Sequence, residues 1–172
     1  VRAIRWGSDR IQETGGVLAF VTNAGWIDAN SADGMRKCVA DEFTRVDVFH
    51  LRGNQRTQGE QSRREGGKIF GQGSRAPVAV TLLTKNGKSS GPARIRLHDI
   101  GDNLSREEKL DRVTKFGSVG GITKKGAWLP IAPDEHGDWI GQRDKSFDLL
   151  FPVGDKDKKS DAPLFANFSL GV

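Results

Sequence analysis

A chain of 172 residues with 28% charged and 35% hydrophobic side chains has the length for one full domain with its own core, and its longest apolar runs, Val17 to Val21 and Leu149-Leu150-Phe151, exclude a membrane-spanning segment. The 27 Lys and Arg against 22 Asp and Glu leave a net +5, a modest excess compatible with nucleic acid. One cysteine excludes an intramolecular disulfide framework and points to a reducing, cytoplasmic setting. The chain opens on Val1, followed by neither a basic-then-apolar leader nor a transit sequence, and is expected to be a piece of something longer.

Val1, Ile4, Ser8 and Ile11 fall on one helical stripe, which predicts a helix over 1–12 that Gly15-Gly16 stops. The run Gly15 to Asn23 then shows no alternation of apolar and polar side chains, so it reads as a parallel strand covered on both faces. Its carboxyl end is Thr22-Asn23-Ala24-Gly25-Trp26, and ligands of open α/β sheets sit outside such ends, so a site is expected near Asn23. Met35, Cys38, Val39 and Phe43 form a second stripe on a helix capped by Asp33, with Cys38 expected as a buried small hydrophobe. Arg45 to Leu51 suits a second strand, which makes strand, helix, strand a right-handed crossover.

Residues 52–76 hold six glycines and six basic residues against Glu60 and Glu65. A connection of that length without regular structure is functional or disordered. Pro77 to Lys85 reads as a strand, and Asn86-Gly87 through Gly91 as a turn into the alternating Ala93 to His98, together an antiparallel hairpin. Ser105-Arg106-Glu107-Glu108 is a capping box opening a helix to about Phe116, with Leu104, Leu110 and Val113 as its apolar positions. Beyond Gly117 only apolar islands remain, followed by a charged run from Gly154 to Asp161 that is expected to be mobile.

No self-contained active site is visible. The three histidines have no ligand partner at helical spacing, His98-Asp99 lacks the companions of a metal phosphohydrolase, and no metal is expected. Asp134 to Trp139 reads as a polar turn anchored by Trp139, with a cation site or general base as the other reading. The Gly/Arg stretch is more telling. Glycines let the backbone approach phosphates, arginines neutralise them, and Phe70 in a mobile loop can stack on an unpaired base; the other reading is a solvated loop with Phe70 in the core.

Gly16 to Ile27 followed by Gly34-Met35-Arg36-Lys37 resembles the part of gamma-class adenine-specific DNA methyltransferases just after their Asn/Asp-Pro-Pro-Tyr/Phe motif. Val48 to Gly59, Gly66 to Gly71 and Arg94 to Leu110 look more specifically like the methylase region of single-chain, type I-like (ISP) restriction-modification enzymes with a helicase domain. The resemblance implies a partial Rossmann-like methyltransferase domain, the carboxy-terminal half of a three-layer α/β/α sheet over residues 1–120. Residues 121–172 would form an irregular connection towards a target-recognition domain. It implies S-adenosylmethionine as the cofactor of the parent, and double-stranded DNA and the parent's nuclease, helicase and recognition domains as partners. Phe70 would stack on a flipped adenine, Asn23 and Trp26 would line the cofactor and base pocket, and Arg52, Arg56, Arg63, Arg64 and Arg75 would meet phosphates. Neither a cofactor-cradling Phe-x-Gly-x-Gly-like loop nor the Asn-Pro-Pro-Tyr motif occurs in the chain, so by itself it is expected to be inactive. The alternative is a non-enzymatic DNA-binding or bridging module of a DEAD/DEAH-box helicase-like protein.

Overall fold

The computed structural model describes residues 2–12, 14–71, 73–86, 91–142, 146, 149–151, 153–154 and 164–165. The chain divides into two units, Val1–Gly141 and Gln142–Val172. In the second, the Phe165 amide donates to the Val153 carbonyl at 2.9 Å, and Leu149, Leu150 and Phe151 are exposed. The first unit holds all the described regular elements and extends past residue 120, because a short helix and strand there complete its packing.

That unit is a mixed α/β structure built on five strands, β1 (Gly16–Asn23), β2 (Arg45–Arg52), β3 (Val78–Lys85), β4 (Arg94–Asp99) and β5 (Leu129–Ile131). The helices are α1 (Arg2–Arg10), α2 (Asp33–Glu42), α3 (Gly59–Glu65), α4 (Arg106–Phe116) and α5 (Val119–Lys124). The spatial order is β1-β3-β2-β4-β5. β3 lies antiparallel to both β1 and β2, β2 and β4 run parallel, and β5 closes antiparallel on β4. This gives an open, partial Rossmann-like sheet with helices against it.

Two expectations change here. Pro77–Lys85 and Ala93–His98 do not form a hairpin, since β2 separates β3 from β4; of the expected turn, residues 87–90 lie outside the described residues. The strands β1 and β2 are parallel and joined through α2 as expected, but β3 inserts between them, leaving β1 at the sheet's edge. On β1 burial alternates: Leu18 and Phe20 pack on the core, whereas Val17 and Val21 are 59% and 57% exposed. The strand is apolar on both faces yet covered on one.

Cross-strand neighbours share a face. Leu18, Leu83, Val46 and Ile95 stand in register on the face where Ile4 of α1 and Val39 and Phe43 at the end of α2 pack. Gly7 lets α1 approach closely, since a Cβ there would meet Leu18 Cδ1 at 3.0 Å. Glu42 ties this corner together: Ser8 donates to it, Lys85 pairs at 3.4 Å and Arg5 at 3.5 Å. Cys38, expected inside, is exposed, because α2 turns Met35, Arg36, Val39 and Phe43 inward instead.

A second core joins Phe49, Leu51 and Val78 to Ile69, Ile100, Leu104 and Ile122 beneath α4 and α5. The Ser105/Glu108 capping box opens α4 as expected. The helix is rotated from the expected phase, however: Lys109, Val113 and Phe116 face in, and Leu110 faces solvent. His98 serves this core, donating from Nδ1 to the Ala127 carbonyl at 2.7 Å with its ring against Phe49 and Phe116.

Candidate nucleic-acid interface

The Gly/Arg stretch is an anchored arm rather than a free loop. It begins at a bulge in β2, where the register shifts between His50 and Arg52. Arg52 adopts φ 55°, a left-handed conformation that costs a non-glycine residue on the order of 1 kcal/mol or more, and Gly53 follows at φ 88°. Asn54 and Gln55 fold the chain back: the Asn54 amide donates to Glu65 Oε2 at 2.8 Å, and the Gln55 amide to the Arg75 carbonyl at 2.9 Å. After α3, Gly66 takes φ 65° and Gly67 presses on α4. A Cβ on either would lie 2.2 Å from the Leu104 oxygen or 2.5 Å from the Arg106 nitrogen. Ile69 is buried, and its carbonyl accepts from Arg106 Nε at 2.8 Å.

Directly after that anchor, Phe70 stands 52% exposed. Arg56, Arg63, Arg64, Lys68 and Arg75 are also exposed, with Glu60 as the exposed acid of the same segment. Glu60 holds Arg63 and Arg64 loosely, at 3.6 and 3.9 Å, as a solvated pair of this length does. Arg75 keeps one hydrogen bond, to the Gln55 carbonyl at 3.1 Å.

Arg52 has a different occupation from the phosphate contact expected of it. Its Nε donates to Asp99 at 2.8 Å, and Nη1 donates to Asp102 and, at 3.3 Å, to the Arg64 carbonyl. The left-handed turn at Arg52 aims the guanidinium at these two carboxylates, so it staples the arm to the end of β4. Burial alone would raise the Asp99 carboxyl, but hydrogen bonds from His50, Arg52 and the Gly101 amide, with the guanidinium charge, hold it well below the usual carboxylate range. The same two aspartates raise Arg52 against the opposing effect of its burial.

His50, Arg52, Glu60, Gln61, Arg64, Glu65, Asp99 and Ile140 line a cleft of about 500 Å³. It opens at the carboxyl ends of β2 and β4, the parallel pair of the sheet. That is where ligands of open α/β sheets gather, a signal applied at the sequence level only to β1.

Asn23 and Trp26 do come together. They line a cavity of about 250 Å³ with Ala3, Ile4, Phe20, Thr22 and Met35. Asn23 Oδ1 accepts from the Gly25 amide at 2.8 Å and caps a 3-10 turn over Ala24–Ile27, which brings Trp26 round to the strand end. Trp26 meets Trp139 edge-on at 5.2 Å. The Thr22 hydroxyl and the Trp26 indole N–H are buried beside the cavity without a hydrogen-bond partner. Phe70 is not among the lining residues.

The 134–139 segment is the expected polar turn. Asp134 Oδ1 accepts from the amides of His136 and Asp138, while Trp139 is buried. Among the described residues no group of three or more His, Cys, Asp or Glu could hold a metal ion, and no helix is long and apolar enough to cross a membrane.

No protein-family model matches the chain, and no curated protein does. Solved structures do match. The chain is 45% identical, with a TM-score of 0.81, to a nuclease-deletion mutant of the Type ISP restriction-modification enzyme LlaGI in complex with a DNA substrate mimic; 91% of this chain and 12% of that one are covered. It is 40% identical, TM-score 0.84, to the ATP-dependent Type ISP restriction-modification enzyme LlaBIII bound to DNA, over 94% of this chain and 10% of that one. With a DrdV–DNA complex it shares 33% identity and a TM-score of 0.75 over 90% of this chain and 14% of that one. The chain thus spans between 10% and 14% of the length of these proteins. Across that span its sequence and its fold alike are similar to one segment of Type ISP restriction-modification enzymes.

Proposed function

We propose that the chain is part of the methyltransferase region of a restriction-modification enzyme, which transfers a methyl group from S-adenosylmethionine to the exocyclic amine of adenine in double-stranded DNA. Phe70 stacks on the extruded base, and Arg56, Arg63, Arg64 and Arg75 meet phosphates. Asn23 and Trp26 line a pocket for part of the cofactor or base. Arg52 leaves the list of phosphate contacts, since two aspartates already hold it. The observation that carries the reading is the placement of Phe70: an exposed ring directly beyond the buried Ile69, on an arm whose exposed side chains are mostly cationic. Stacking a base on such a ring contributes roughly 1–3 kcal/mol, on the scale of the few kcal/mol that extrusion costs.

S-adenosylmethionine would supply the activated methyl group. The Asn23 cavity would take one end of it, with Phe20, Met35 and Trp26 as its walls. At about 250 Å³ the cavity is below the roughly 300–1,000 Å³ of pockets that hold a whole ligand of that size. The cofactor loop and Asn-Pro-Pro-Tyr motif that this sequence lacks would hold the remainder. Supporting this, among the described residues no strand lies on the outer edge of β1, and Val17 and Val21 are exposed, a surface that further strands and helices of a longer polypeptide would cover.

In the full-length enzyme, Phe70→Ala should lower methylation and the fluorescence of 2-aminopurine placed at the target adenine. Unchanged values for both would remove Phe70 from the site. The 172-residue chain alone should transfer no methyl group to DNA.

One observation favours a non-enzymatic DNA-binding or bridging module of a helicase-like protein: none of the exposed arginines of the arm lines the Asn23 cavity. Tight, steeply salt-dependent binding by the chain alone would support that module, and negligible binding would support the enzyme piece.

A further inference from the structure

Lys109 is fully buried at the end of the first turn of α4, on the face it shares with Val113 and Phe116, where its charge alone would place it in solvent. Its ammonium donates to the Glu65 and Gly67 carbonyls, each at 2.7 Å, and so bridges the two sides of Gly66. Burial pushes its pKa below the ordinary lysine value, an effect that the nearby Glu65 carboxylate partly counters. Other donors hold the rest of the junction: the Asn103 amide reaches the Arg64 carbonyl at 3.1 Å, Gln55 Nε2 the Gly66 carbonyl at 3.1 Å and Arg106 Nε the Ile69 carbonyl at 2.8 Å. Each of these reaches one carbonyl. Lys109 reaches two, and it does so from a helix that is itself anchored in the second core through Val113 and Phe116.

We propose that Lys109 is the positioning residue of the arm: by clamping the Glu65–Gly67 turn onto α4 it fixes where Arg63, Arg64 and Phe70 meet DNA. The second half of that statement rests on the DNA-binding reading above; the first does not. Lys109 contacts no phosphate itself. Its contribution is to remove the freedom of the segment, so that the cations need not be ordered at the moment of binding.

Hydrogen exchange on this chain and DNA titration of the full-length enzyme test it together. In Lys109→Met the amides of Gly53, Gly66, Gly67 and Asn103 should exchange at least about tenfold faster, while the β2 and β3 amides keep their wild-type rates. DNA affinity should fall about tenfold, with an unchanged slope of affinity against salt, because the same phosphates are still neutralised. Unchanged arm amides, or a uniform acceleration across the sheet, would overturn the proposal, and so would a slope reduced by about one, which would make Lys109 a phosphate contact. Gly67→Ala keeps Lys109 but forces the turn off α4, and it should reproduce the exchange pattern. Should Lys109→Met not fold, Lys109→Gln, which keeps a donor for at most part of the clamp, decides the matter, and arm amides at wild-type rates in that variant would also sink the idea. Arg63→Gln with Arg64→Gln separates the two readings: unchanged DNA affinity there removes DNA binding from the arm and leaves the exchange result standing.

Discussion

Arg36 and Asp138 lie 102 residues apart in the chain and meet in the interior at 2.5 Å, with side chains 0% and 4% exposed. Arg36 also donates to the Gly137, Trp26 and Ala29 carbonyls, so one guanidinium joins α2, the 3-10 turn beneath Asn23 and the 134–139 turn. Removing one partner leaves the other as an uncompensated buried charge. Arg36→Met should therefore destabilise the chain by about 3–5 kcal/mol in urea unfolding. Combining it with Asp138→Leu should restore part of the loss, and a double variant no more stable than the single one would refute a charge-based account.

The Asp99 cluster gives stability an acid limb. Its carboxyl titrates below the ordinary value when folded, so as pH falls the unfolded chain takes up the proton first and gains on the native state. The contribution of Asp99 is fully present above the ordinary carboxylate range, near pH 4, and is lost as pH falls through the lower folded value. Glu42, lowered by hydrogen bonds from Ser8 and Lys85 despite its burial, acts in the same direction. Urea midpoints measured from pH 6 to pH 2 should fall less steeply in Asp99→Asn than in wild type. Parallel curves would show that Asp99 carries no such linkage.

The arginines of the arm separate by occupation. In salt titrations of DNA binding by the full-length enzyme, neutralising Arg56, Arg63 or Arg64 should each flatten the log–log slope by about 0.9. Arg52→Gln should leave the slope unchanged and lower thermal stability instead, because Asp99 and Asp102 lose their partner. A slope change at Arg52 comparable with that at Arg63 would return it to the phosphate contacts.

The exposed Val17 and Val21 on β1 predict concentration-dependent self-association of this chain. Val17→Thr with Val21→Lys places polar groups on a face that nothing in the described first unit covers, and should change stability by no more than about 0.5 kcal/mol. Sedimentation velocity should show less concentration-dependent association than in wild type. In the full-length enzyme the same pair should instead weaken folding, if further elements cover this face.

Much of the local structure can be read from neighbouring residues alone. The Ser105/Glu108 box, the strand over Arg45–Leu51 and the turn at Asp134 each depend on groups a few residues apart and form as their patterns predict, and the Met35, Cys38, Val39 and Phe43 stripe forms without Cys38. Asn23 and Trp26 also meet for a local reason, a cap and a single turn between them. Strand order is another matter. The run Val17 to Val21 would satisfy a central or an edge position equally, and its partner is chosen by pairing with residues such as Thr84 and Val80, far along the chain. The buried charges follow the same logic. Nothing beside Lys109 or Arg36 in the sequence announces burial, since a charged side chain belongs in water until fixed acceptors meet it inside. Those acceptors, the Glu65 and Gly67 carbonyls for one and Asp138 for the other, exist as partners only once the chain has folded.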